Sequence, residues 1–164
     1  MTPYAALQLA LVGKERHIAA RFGDDPPPWR TIGPLVALLN RSDSRHAAAT
    51  EALVSLRTPL FTCWPVLTEA AYLLRSQPAA VRSLLSSIDS GFLQLLPLGP
   101  ADIEPISDIL EQYEDQSFQL ADAVLMYLAD REAIPHVFTF DRRDFSVFRT
   151  RAGKSLTLMP ASGD

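Results

Sequence analysis

Apolar residues recur along this chain in two rhythms. Pro59 to Cys63, Phe92 to Leu96, His136 to Phe140 and Leu156 to Met159 are short apolar runs bounded by turn residues. Runs of that length predict buried strands. Between them the apolar positions fall three and four residues apart, which predicts helices. Gly33-Pro34 opens a short apolar helix from Leu35 to Asn40. Asp43 can cap a second helix reaching Leu56, with Ala47, Ala48, Leu53 and Leu56 facing inward. Pro65 starts a helix carrying Val66, Leu67, Ala70, Leu73 and Leu74, and Pro78 starts another that ends near Gly91. Pro100 precedes a helix with Ile103, Ile106, Ile109 and Leu110 at helical spacing. Leu120 to Ala133 is a strongly apolar helix, ended by Pro135. Strands alternating with helices predict an α/β fold, a three-layer α/β/α sandwich with a mostly parallel central sheet.

The N-terminal region breaks this alternation. Asp24-Asp25-Pro26-Pro27-Pro28 reads as a stiff linker, because consecutive prolines continue neither a helix nor a central strand. The expected organisation is therefore an arm and Pro-rich linker, residues 1–28, followed by one domain, residues 29–164. Within the arm, Leu7 to Val12 suits a helix or a strand equally. Pro26 to Arg30 is not expected to supply a central strand.

Composition narrows the function classes. The chain has 164 residues, is 48% hydrophobic and 21% charged, and carries a formal charge of −4, as an ordinary globular domain does. A net negative chain is not a simple polycation for nucleic acid. Cys63 is the single cysteine, so no internal disulfide and no cysteine-based zinc site is expected. No apolar run reaches the ~18 residues of a membrane helix. The apolar start lacks a basic leader and a cleavage site, and a cytoplasmic protein is expected.

Acidic residues occur where charge is unexpected. Glu69 is the one acid in the segment Trp64 to Leu74. Asp122 opens the most apolar helix. Asp141 follows the strand ending in Phe140, at the edge where open α/β sheets place their sites, and Asp144 comes shortly after. Singly, each has a structural explanation: a strand end or turn for Asp141, a helix N-terminus for Asp122, an arginine partner for Glu69. Together they suggest one site, because clustered carboxylates are tolerated when a divalent cation neutralises them. Such a site can activate water and stabilise charge on a phosphodiester. Arg142, Arg143, Arg149, Arg151 and Lys154 form a basic stretch opposed only by Asp141 and Asp144. It suits a phosphate backbone or, equally, a solvated loop of mixed charge. His17, His46 and His136 have no zinc-site spacing, and His46 is expected at the surface. Neither a Gly-x-Ser-x-Gly elbow nor a phosphate-binding glycine loop is present.

Four segments in order, Gly33 to Asn40, Trp64 to Ala71, Leu120 to Ala123 and Thr139 to Phe145, resemble the PIN-domain family. The nearest group is the VapC-like toxins of bacterial toxin–antitoxin pairs, and the resemblance runs from about Thr31 to Pro160. It implies Mg²⁺- or Mn²⁺-dependent cleavage of RNA, a small antitoxin partner and a homodimer. Glu69, Asp122 and Asp141 match three members of the family's acidic quartet, with a catalytic and metal-binding role. Asp144 matches an accessory metal-binding acid, and Thr139 a supporting hydroxyl. Arg142, Arg143 and Arg149 are the expected RNA contacts, from charge and position.

Two departures keep the reading open. The family's first strand usually ends in Asp followed by Thr or Ser; Thr31-Ile32 stand in those places. The family often has a second Asp three residues before the one matched by Asp122; here that residue is Gln119. Asp24 or Asp25 could replace the lost acid if the arm folded back and Leu7 to Val12 filled the central strand slot. The alternatives are an active nuclease of weakened activity and a decayed domain that binds antitoxin or RNA without cutting. A third is a frameshift or misassigned start that removed the first strand.

Overall fold

The computed structural model describes residues 29–30, 32–54, 56, 59–116 and 118–159. The expectations for the arm and linker, for Asp24 and Asp25, and for Thr31 lie outside the described residues. Among the described residues, five short strands form one parallel sheet. They are β1 (Trp29–Arg30), β2 (Leu60–Thr62), β3 (Leu93–Leu95), β4 (His136–Phe138) and β5 (Thr157–Met159), in the spatial order β3-β2-β1-β4-β5. The helices are α1 (Ile32–Leu39), α2 (His46–Val54), α3 (Trp64–Leu73), α4 (Pro78–Asp89), α5 (Ile103–Gln112), α6 (Leu120–Arg131) and α7 (Arg142–Val147).

β1 is a correction to the sequence reading. Trp29 and Arg30 do fill the central slot: Trp29 is in register with Phe61 on one side and Val137 on the other, and Arg30 with Phe138. The objection to proline holds only for the prolines themselves. The strand begins at the first residue past them, where N–H donors resume. It needs only two residues because both flanking strands are supplied from distant parts of the chain. The slot proposed for Leu7 to Val12 is thereby taken.

Strand order also fixes where a site can be. From β1 the chain steps outward to β2 and β3, then returns to place β4 on the other side of β1. The crevice between β1 and β4, at their carboxyl ends, is the topological switch point. The other expected strands and helices occur where the apolar rhythm puts them. β2 is buried at all three positions, as a strand covered on both faces must be. α6 is buried from Ala121 to Ala129 except at Asp122, so it is the interior helix rather than a half-exposed one.

Three local features differ from expectation. Asp43 does not cap α2. Its Oδ1 accepts the Arg45 N–H at 2.8 Å, closing the turn before the helix, which starts at His46. His46 is half-buried rather than a plain surface residue, and its Nδ1–H donates to the Ala37 carbonyl at 2.8 Å, tying α2 to α1. Residues 142–147, to which the sequence reading assigned no element, form α7.

A polar cluster fastens the far side. The Tyr127 hydroxyl donates to Asp102. The Arg131 guanidinium lies 3.2 Å from Asp102 and 2.7 Å from Glu132, and donates to the Pro97 carbonyl. This joins the loop after β3, the entry to α5 and the end of α6. Burial raises the Asp102 pKa, but hydrogen bonds from Tyr127 and the Gly99 N–H, with the Arg131 charge, outweigh it and hold the carboxyl below its ordinary range.

Candidate functional site

Glu69, Asp122, Asp141 and Asp144 come from three different helices and the end of β4, and all four line one cavity of about 250 Å³. Each is aimed there by local structure. β2 runs into α3 through Cys63, the extended N-cap residue, and Pro65 opens the helix. Val66, Leu67 and Ala70 are buried and set the rotation of α3, which leaves Glu69 half-buried at the margin of that face. On α6, Gln119 is the N-cap residue, and its N–H points at Asp122 Oδ2 at 3.4 Å. The first turn of a buried helix thus carries one carboxylate inward.

Asp141 stands at the N-cap position of α7, two residues past Thr139, without a side-chain capping bond, and Thr139 holds that turn. The buried Thr139 Oγ accepts the Asp141 N–H at 3.0 Å, and the Thr139 N–H donates to Met159 of β5 at 2.9 Å. Asp144 follows on the first turn of α7.

Electrostatics marks the cavity as strained. Burial first, and with it the charges of Asp144, Glu69 and Asp141, pushes the Asp122 carboxyl up to about 6 against the Gln119 N–H, which lowers it. Asp144 is likewise raised, by burial first and then by Asp141, while Arg143 lowers it. Four oxygen-donor side chains that repel one another are the donor set of a hard divalent cation. Among the described residues, no group of three His, Cys, Asp or Glu side chains is arranged to hold a metal ion by itself. An ion such as Mg²⁺ takes one or two carboxylates and completes its shell with water and phosphate oxygens.

The expected cationic contacts do not line the cavity. Arg142 and Arg143 are exposed on the first turn of α7. Arg149 lies beyond its end, where its guanidinium donates to the carbonyls of Ser146 at 2.7 Å and Phe148 at 2.8 Å. Residues the sequence did not single out do line it: Gly33, Arg45, Phe140 and Phe145. Arg45 had no local signal, because it is brought in by the α1–α2 turn. Gln119 lines the cavity as a neutral amide. A larger apolar groove of about 390 Å³, between α1, α2, α4 and β3, contains no carboxylate and is not the chemical site.

A parallel α/β domain with an acid-lined cavity at its switch point defines the class. The chain belongs to the PIN-domain family, which it matches over residues 34–150. It is VapC-like within that family. It is 32% identical over 128 residues to Ribonuclease VapC26 of Mycobacterium tuberculosis, across 77% of this chain and 95% of that protein. Its fold is similar to the crystal structure of Mycobacterium tuberculosis VapC20, a Sarcin-Ricin loop cleaving toxin. The TM-score is 0.65 at 20% identity, over 71% of this chain and 91% of that one.

Proposed function

We propose that the chain is a divalent-cation-dependent endoribonuclease, the toxin of a toxin–antitoxin pair. The observation that carries this reading is the meeting of Glu69, Asp122, Asp141 and Asp144 around one cavity in a VapC-like PIN fold. Glu69, Asp122 and Asp141 would hold Mg²⁺ or Mn²⁺, with Asp144 as accessory. The bound cation supplies a water of lowered pKa and neutralises charge on the phosphodiester. The chain's own residues set the geometry. Thr139 fixes the turn that presents Asp141, Gln119 fixes Asp122 on α6, and Arg142, Arg143 and Arg149 extend positive charge for the RNA backbone.

The folded unit in this reading begins at Trp29. The antitoxin seats on the apolar groove walled by Leu35, Leu38, Leu53 and Leu84, where α1 and α2 meet α4. A homodimer uses the outer side of α3, where Trp64 is 54% and Tyr72 63% exposed. Among the described residues no helix is long and apolar enough to cross a membrane, and a cytoplasmic site of action follows from the RNA substrate.

A second reading is favoured by Gln119, a neutral residue in a cavity that otherwise collects acids: a binding module that no longer cuts. Purified chain incubated with a mixed RNA panel in Mg²⁺, Mn²⁺ or EDTA separates the two. Cation-dependent cleavage that disappears in Asp122→Asn supports the nuclease. No cleavage by the natural chain, with activity gained in Thr31→Asp, supports the binding module.

A further inference from the structure

We propose that Arg45 is a substrate-binding residue that grips a backbone phosphate of the RNA at the mouth of the carboxylate cavity. This rests on the RNA reading above. A cavity walled by four carboxylates repels the polyanion it must receive, so positive charge is needed at its edge. Among the described residues that line it, Arg45 is the one cation.

Three features make Arg45 a built contact. Its backbone is pinned: the N–H donates to Asp43 Oδ1 at 2.8 Å, and the carbonyl accepts the Ala49 N–H at 2.9 Å. Its guanidinium lies over the Phe140 ring, 5.4 Å from the centroid. That ring is itself held, edge-on to Phe138 at 5.8 Å, with Gly33 on its flank, where an added Cβ would come 3.7 Å from Cδ2. A guanidinium drawn to a ring face by its charge still has N–H donors for phosphate oxygens. Finally, among the described residues its guanidinium forms no ion pair with the four carboxylates and no hydrogen bond, so its donors remain for a ligand. Lysine would keep the charge but lose the fork.

The test is fluorescence anisotropy with a labelled single-stranded RNA, Ca²⁺ replacing Mg²⁺ to suppress cutting, over a salt series. Arg45→Ala is expected to raise Kd about tenfold at low salt. It should also make the slope of log K against log salt shallower by about 0.7, one phosphate's worth for single strands. Arg45→Lys should restore the slope and part of the affinity. In Mg²⁺, Arg45→Ala should raise KM and leave kcat within about twofold, because the contact is made equally before and during reaction. Wild-type Kd and slope in Arg45→Ala, or no RNA binding by the natural chain, overturns the proposal. Arg45-dependent binding without cleavage by the natural chain sustains it and removes the nuclease reading instead. Thermal melting of both variants at the wild-type temperature excludes a folding defect.

Discussion

Replacing Asp122 by Asn should make the cation-free protein more stable. The carboxyl titrates at about 6 in the folded chain against an ordinary 3.8. At ~1.36 kcal/mol per pH unit, keeping Asp122 ionised therefore costs the native state at most ~3 kcal/mol. Water reaches the open cavity and screens part of this, which leaves ~1–2 kcal/mol. Asn keeps an oxygen for the Gln119 N–H and removes the charge. It forfeits ~0.5 kcal/mol of favourable interaction with the α6 N-terminus. A folded-state pKa above the unfolded one means the native chain binds more protons, so stability falls as pH rises through that interval. The cost of Asp122 is accordingly absent below about pH 4 and complete above about pH 6. The assay is thermal unfolding in EDTA at pH 4 and pH 7. The Asp122→Asn variant should melt about 1–6 °C above wild type at pH 7, at the ~2–4 °C per kcal/mol usual for this size, with little difference at pH 4. Added Mg²⁺ should raise the wild-type melting temperature and have little effect on the variant. A variant no more stable than wild type at pH 7 in EDTA would refute the reasoning, as would equal stabilisation of both by Mg²⁺.

Three further outcomes follow from the fold. Tyr127→Phe removes the hydroxyl that donates to Asp102 and should cost about 1–2 kcal/mol in urea unfolding at pH 7. Because the Asp102 carboxyl is held below its ordinary 3.8, its contribution is present above that pH and lost as pH falls, so the loss from Tyr127→Phe should shrink in acid. Ala133, just past α6, has φ 56°, a left-handed conformation that glycine adopts without penalty, and Ala133→Gly should raise stability by about 0.5–1 kcal/mol in the same assay. Cys63 is fully buried, and burial pushes its thiol up to about 12 against the Val66 N–H, so a thiol reagent at pH 8 should label it only after denaturant is added.

The layers were legible because their signals are local. The short run from Pro59 to Cys63 between turn residues, or apolar residues at helical spacing from Ile103 to Leu110, describes β2 or α5 without knowledge of any partner. β1 was not legible for the opposite reason. Two residues after a proline run carry no rhythm, and Trp29 and Arg30 are strand only because Phe61, Val137 and Phe138 are brought beside them. α7 was missed on similar grounds: six residues are too few to show a period, and its start is fixed by the Thr139 hydroxyl on Asp141. Asp43 was assigned to the wrong N–H because an Asx turn and a helix cap use the same side chain one or two residues apart.

The site itself was legible where it violates a local rule. An Asp inside the most apolar helix, and a Glu alone in an apolar segment, contradict the pattern around them, and such contradictions concentrate where function outweighs stability. That logic reaches only residues that are anomalous in their own neighbourhood. Arg45 is an ordinary cation in an ordinary polar turn. It becomes significant only when the switch between β1 and β4 sets the α1–α2 turn over Phe140. Nor does the sequence show that Nη1 of Arg149 donates to the carbonyls of Ser146 and Phe148. Carboxylates in this fold therefore announce themselves by the cost of burying them, whereas the cations that must accompany them at the rim cost nothing to expose. A search by charge along the sequence finds the first group and does not reach Arg45. Among the described residues, the cation that lines the cavity is the one held over an aromatic face, a property that only the fold confers.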